Sequence, residues 1–203
     1  MKKDILSGVA AGLLVSLGGV VFLSCDSRYV GAALFSVALL SICYRGYALF
    51  TGRVGFLPES GDRRSDLSTL LLALLGNFIG AAACGLLIRL ALPAVGEAAL
   101  TACTNRLGQP LYSTLIRGFF CGILMYLAVV IYRENKTAVG VVFCIPVFIL
   151  SGFEHSIADM FYFAASGIVS FRAFLFIWVV IVGNSLGGMF LPWLKLIGNN
   201  RSA

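Results

Sequence analysis

The sequence predicts an all-α polytopic membrane protein: six transmembrane helices in two inverted three-helix repeats, with helices 2 and 5 broken at mid-membrane. Three observations carry that expectation. The 203-residue chain is 60% hydrophobic and only 12% charged, with a mean hydropathy of +0.97. That composition belongs to a membrane protein, and the length leaves room for about six spans. Next, Gly-Asn-x-x-Gly occurs at 76–80 and again at 183–187, each time inside a full-length apolar span. Last, each of those spans follows one interrupted by polar residues, at 45–52 and at 151–159. Matching breaks in two halves read as an internal duplication. Three spans per half force the copies into opposite orientations, and the site of such a fold lies at the midplane between the broken helices.

All 203 residues form one membrane domain, with repeat one over about 5–92 and repeat two over about 111–197. Met1-Lys2-Lys3-Asp4 and the apolar run after it resemble a signal peptide, but the run, roughly 5–24, is long enough to span and more spans follow, so it is read as the first helix. A turn at Asp26-Ser27-Arg28 leads to a second span that is interrupted by Arg45, Gly46, Thr51 and Gly52. Glu59 to Asp66 is the clearest loop. The third span covers 67–92 and stops at Pro93; 94–110, with Glu97, Arg106 and Pro110, reads as an external loop. The fourth covers 111–132, the fifth starts near Thr137, breaks at 151–159 and resumes to about Ser170, and the sixth covers 173–196.

The second break concentrates the polar chemistry. Ser151-Gly152-Phe153-Glu154-His155-Ser156-Ile157-Ala158-Asp159-Met160-Phe161 holds the chain's single histidine between two carboxylates. Ionisable groups at bilayer depth are costly and mark solute or proton pathways, and non-helical backbone survives there only when buried in protein or lining a cavity.

Other classes are excluded. The net charge of +6 is scattered over segment ends, which describes topology and not a nucleic-acid surface. Cys25, Cys43, Cys84, Cys103, Cys121 and Cys144 lie mostly in apolar runs without CxxC spacing, so they form neither a disulfide framework nor a metal site. No cofactor is implied. With six spans both termini share one side. Placing Lys2, Lys3, Arg53, Arg63, Arg64, Arg133, Lys136, Lys195 and Arg201 there leaves Arg28, Arg89, Arg106 and Arg172 opposite. The termini are therefore expected in the cytoplasm, with the protein in the cell (inner) membrane. Arg45 and Arg117 fall within or near the apolar slab.

The whole chain from about residue 8 to 197 resembles the formate/nitrite transporter family. The most specific match is the 151–161 stretch, where the family usually has asparagine in place of Asp159. Gly46-x-x-Leu49-Phe50-Thr51 resembles the family's broken second helix, with Ala48 where an acid is usual, and Gly183-Asn184 matches in the sixth span. The resemblance implies an aquaporin-like protomer, a homopentamer with one pore per protomer, and Thr51 facing His155 across the pore with Asn184 close by. It implies an apolar constriction of Leu39, Leu49 and Phe50 on one side of His155, and an outer one of Phe35, Phe148 and Val129.

Two departures stand out. The family's lysine at the start of the fourth helix is Pro110 here, beside Gln109, and its asparagine further along that helix is Tyr126. Arg45 is the better candidate for a buried positive charge, paired with Glu154 or Asp159. Arg117, roughly 18 Å along the helix from Val129, is expected in the outer vestibule.

The implied function is a channel or transporter for small monovalent anions of weak acids, formate or nitrite in type, passing with a proton. An ion pays heavily for desolvation in a greasy constriction and the neutral acid far less. His155 suits the task because its charge state responds to modest fields, with Glu154 tuning it and Thr51 and Asn184 replacing lost water. A second reading keeps the fold and takes hydrosulfide or another very small solute, favoured by the missing lysine and by Tyr126. An embedded enzyme on Glu154 and His155 lacks any metal-spaced cluster or Cys–His pairing to support it. A purely structural subunit leaves the paired breaks unexplained.

Overall fold

The computed structural model describes residues 2–199; Met1 and residues 200–203, including the terminal-side charge Arg201, lie outside the described residues. Helix α1 (Lys2–Ser24) is followed by α2 (Arg28–Arg45), whose N-terminus is capped by Ser27 Oγ accepting from the Val30 amide. After the first break come one turn of helix, α3 (Phe50–Arg53), and a 3-10 stretch, Val54–Glu59. Asp62 then caps the long α4 (Arg63–Ala91), and Pro93 opens α5 (Pro93–Leu107). The second half runs α6 (Leu111–Asn135), α7 (Val139–Leu150), α8 (Ser156–Ser166) and α9 (Phe171–Asn199).

Among the described residues four helices, α1, α4, α6 and α9, are long and apolar enough to cross a bilayer. A fifth span is counted when α2 and Phe50–Glu59, bent by 61°, are taken together. Helix α7 is apolar but only 12 residues long, about 18 Å of helix against a hydrocarbon core of roughly 30 Å. Large apolar side chains such as Leu71, Leu87, Phe143 and Phe174 are exposed along these helices, as a lipid-facing surface requires.

The long helices pair through glycine. Gly8 and Gly12 of α1 meet Gly76 and Gly80 of α4, and a Cβ on Gly8 would stand 2.6 Å from the Ala73 carbonyl. Gly118 and Gly122 of α6 meet Gly183 and Gly187 of α9 in the same manner, and a Cβ on Gly183 would stand 2.7 Å from the Leu115 carbonyl. Without aliphatic bulk between them, backbones approach closely enough for dispersion to hold helices together in lipid. Each Gly-Asn-x-x-Gly thus faces a Gly-x-x-x-Gly on the helix three earlier in the chain, α4 on α1 and α9 on α6.

Three expectations are corrected. Residues 94–110 are not an external loop: Pro93 supplies a preset first turn, and Val95, Ala99 and Cys103 recur every four residues as the buried stripe of α5. The fifth helix's interruption is shorter than 151–159, because α8 begins at Ser156 and Asp159 sits in its first turn. That helix also stops at Ser166 and not near Ser170, since Gly167 takes the left-handed conformation at φ +72°.

Candidate functional site: two helix breaks between two vestibules

Both breaks are built alike. Gly46 ends α2 at φ +68°, and Gly152 turns the chain after α7 at φ +70°, a conformation open to glycine at little cost. Each break strands backbone groups that need partners in a dry interior, and an asparagine supplies them. Asn77 Oδ1 accepts from the Phe50 amide at 2.9 Å, while its Nδ2 donates to the Ala48 carbonyl at 2.8 Å and the Gly8 carbonyl at 2.9 Å. Asn184 Oδ1 accepts from the Ser156 amide at 2.9 Å, while its Nδ2 donates to the Glu154 and Gly118 carbonyls, both at 2.9 Å. Both side chains are fully buried.

These ties bring Thr51 and His155 together: Thr51 Oγ1 and His155 Nε2 lie 2.8 Å apart. The amide of Ala158 donates to His155 Nδ1 at 3.2 Å, so the imidazole caps α8. An amide can only donate, which leaves Nδ1 unprotonated and puts the ring's single proton on Nε2. His155 is therefore neutral, donates to Thr51 Oγ1, and leaves the Thr51 hydroxyl hydrogen without another acceptor among the described residues. Phe148 stacks on the imidazole, with ring centres 5.8 Å apart and planes at 28°.

A cavity opens on each side of this contact. One, of about 440 Å³, is lined by Leu39, Leu49, Gly52 and Val129 and further out by Arg53, Arg133 and Asp66. The other, of about 420 Å³, reaches Phe35, Phe148, Glu154, His155 and Asp159 and carries Arg28, Arg106 and Arg117. His155 belongs to the wall of the second, and Gly52, next to Thr51, to the wall of the first. Phe35 and Phe148 meet edge to face at 6.3 Å. Phe50 is buried and lines neither of these two cavities.

Val129 stands apart from its expected partners. It lines the cavity of Leu39 and Leu49, because this face of α6 turns toward α3, where a Cβ on Gly52 would touch Val129 at 3.2 Å. Arg45 is also misassigned: it ends α2 exposed to solvent, and neither Glu154 nor Asp159 is its partner. The cation that meets the two carboxyls is the part-buried Arg106 of α5, whose Nε lies 2.9 Å from Glu154 Oε2 and 3.2 Å from Asp159 Oδ1. Its guanidinium also lies 4.9 Å from the centre of the Tyr162 ring. Arg117 donates to the Gly152 carbonyl at 3.1 Å, and Arg28 to the Ile149 carbonyl at 3.2 Å, so both cap the C-terminal end of α7 from the second cavity. Tyr126 packs on Phe56, ring centres 5.3 Å apart, and lines neither cavity.

The arrangement defines a class first: a helical membrane protein whose two interrupted helices meet between opposed cavities, the layout of a channel or transporter. A sequence model of the formate/nitrite transporter family matches residues 1–197, and the chain belongs to that family. It is 30% identical over 190 residues to the uncharacterised transporter YwcJ of Bacillus subtilis, covering 81% of this chain and 73% of that protein. It is 28% identical over 171 residues to the nitrite transporter NirC of Escherichia coli and 24% identical over 180 residues to the formate channel FocA of Haemophilus influenzae. Those alignments cover 78% and 77% of this chain, and 63% of each relative's length. Among solved structures, a pentameric formate channel with formate bound superposes with a TM-score of 0.80 at 24% identity, over 97% of this chain and 96% of that one. The family and the structural neighbours are channels and transporters, not enzymes.

Proposed function

We propose that this chain conducts small monovalent anions of weak acids, formate or nitrite in type, together with a proton. The observation that carries the reading is the 2.8 Å contact of Thr51 with His155, which joins the two breaks between two arginine-bearing vestibules. Arg28, Arg106 and Arg117 outnumber Glu154 and Asp159 in the second vestibule, and Arg53 and Arg133 outnumber Asp66 in the first. Each field draws an anion inward. Beyond it, the aromatic pair Phe35 and Phe148 and the aliphatic pair Leu39 and Leu49 offer nothing to replace an ion's hydration shell, a loss on the order of several kcal/mol. A proton removes most of that cost, and the Thr51 hydroxyl hydrogen then supports the neutral acid as it passes.

The same reading takes six spans as two inverted repeats forming one domain, with α5 as the connector. It places the termini in the cytoplasm of a cell with this protein in its inner membrane, and assembles five copies by likeness to the pentameric neighbour. The equivalent roles of Asn77 and Asn184 and the two matched glycine pairings support the repeat. The test is flux of formate, nitrite and hydrosulfide into liposomes holding the purified protein, measured across pH. Formate or nitrite uptake that rises as external pH falls supports the proposal; uptake of hydrosulfide alone replaces the cargo, and absence of any flux removes the reading.

A further inference from the structure

If His155 is neutral and its Nδ1 is occupied as a cap, the proton lent to an anion needs another source. The second vestibule holds one. Glu154 and Asp159 are 3% and 1% exposed, and they share a single guanidinium, that of Arg106. Glu154 Oε2 takes the hydrogen bond from Arg106 Nε, whereas neither oxygen of Asp159 receives one. Both carboxyl groups nevertheless crowd onto the same Arg106 nitrogen, at 2.9 and 3.2 Å, so they stand close together. One guanidinium balances one carboxylate, and a second buried negative charge beside the first is disfavoured unless a proton is held there.

We propose that Glu154 and Asp159 hold one proton between them at neutral pH, and that this carboxyl pair is the proton donor to the anion in the second vestibule. With that proton the triad with Arg106 is electrically neutral; without it, a net negative charge is buried facing the incoming anion. The surroundings are accounted for from each side. His155 caps α8 and the Tyr162 phenol stands on it; α5 adds the Cys103 thiol and α6 the Cys121 thiol. Across the cavity, Arg28 of α2 and Arg117 of α6 are engaged by carbonyls of the α7 end. Helix α4 brings Cys84 into the same core, its Arg89 lies at the far end of α8 against Gly167, and Arg172 of α9 is bound to the Leu107 carbonyl. Arg106 is thus the cation in direct contact with both carboxyls.

In the transfer, the O–H bond of the pair breaks and an O–H bond forms on the anion, which leaves as the neutral acid. The pair is left as two carboxylates on Arg106 and recovers its proton from hydronium in the vestibule water. Because the two groups titrate together, neither carries the proton alone.

This inference rests on the proposed anion conduction but is tested apart from it, by infrared difference spectroscopy of the full-length protein in liposomes. The wild type is expected to show one carboxylic C=O band at neutral pH that shifts in deuterated water. Asp159→Asn and Glu154→Gln should each abolish it, since a lone carboxylate facing Arg106 ionises, and His155→Asn should keep it. Both carboxyl variants should also lose about 100-fold in anion flux at neutral pH, the range of a missing proton donor. No band in the wild type, or one that survives Glu154→Gln, overturns the shared proton. A band that behaves as described, in liposomes that pass no anion, removes the conduction reading and leaves the proton pair standing.

Discussion

Asn77 and Asn184 make the same three hydrogen bonds in the two halves of the chain. Each accepts from the amide that restarts a broken helix, donates to a carbonyl inside the break, and donates to a glycine carbonyl on the neighbouring long helix. The asparagine amide uses its oxygen and both of its N–H donors, without a charge. This explains why a short motif holds an asparagine between two glycines: the glycines allow the helices to touch, and the amide reaches across the contact to pin the break.

Replacing Asn184 by Ala should therefore strand the Ser156 amide and the Glu154 carbonyl in a site without solvent, while the Gly118 carbonyl, inside α6, keeps its helical partner. Unmet buried groups cost about 1–3 kcal/mol each, so a total on the order of 3 kcal/mol is expected even with partial relaxation. Thermal unfolding in detergent measures it, and Asn77→Ala should behave alike. A variant with wild-type melting would mean that the breaks hold themselves.

Arg106 and Arg45 separate a part-buried charge held by two buried carboxyls from an exposed one. Arg106→Met leaves Glu154 and Asp159 without their cation, and breaking a buried pair from one side costs roughly 3–5 kcal/mol. Arg45→Ala, at the exposed end of α2, should stay within about 0.5 kcal/mol of wild type. The comparison is read from the melting temperatures of the two variants and from flux.

The contrast also shows what was legible in the sequence. His155, Glu154 and Asp159 announce themselves because polar residues in an apolar run have few innocuous explanations, and the two Gly-Asn-x-x-Gly motifs locate the halves. Arg106 was hidden. Its segment mixes Glu97, Thr101, Thr104 and Asn105 with small residues and looks like a surface loop, yet Val95, Ala99 and Cys103 mark a buried stripe and Pro93 its start. Even with that helix assigned, nothing in the sequence says which arginine reaches position 154, because the pairing is made across 48 residues. Val129 was misplaced for a related reason: spacing identifies a helix face, but its partner depends on how α6 is rotated against α3. Gly8-x-x-x-Gly12 and Gly118-x-x-x-Gly122 were readable signals of the helices that face the two asparagines.

His155→Asn tests the neutral imidazole. Asparagine is a good helix cap and can accept from the Ala158 amide as Nδ1 does, so α8 should keep its start. Protonating His155 would require giving up that bond in a buried site, so as pH falls the ring stays neutral and contributes no step to the uptake profile. The expected outcome is a lower rate with an unchanged pH midpoint. A midpoint that moves with the substitution would return the proton to the histidine.

Thr51→Val tests the other half of the contact. Valine keeps the shape but offers no acceptor, so His155 Nε2–H is left without its partner at 2.8 Å and the passing acid loses a hydroxyl donor. One net hydrogen bond is worth about 0.5–1.5 kcal/mol, which corresponds to a roughly 2- to 13-fold slower flux if it is lost only as the solute passes. Thr51→Ser restores both the acceptor and the donor and should recover most of the rate. A serine variant as slow as the valine would assign the effect to the methyl group and its packing, and the hydroxyl would have no part in conduction.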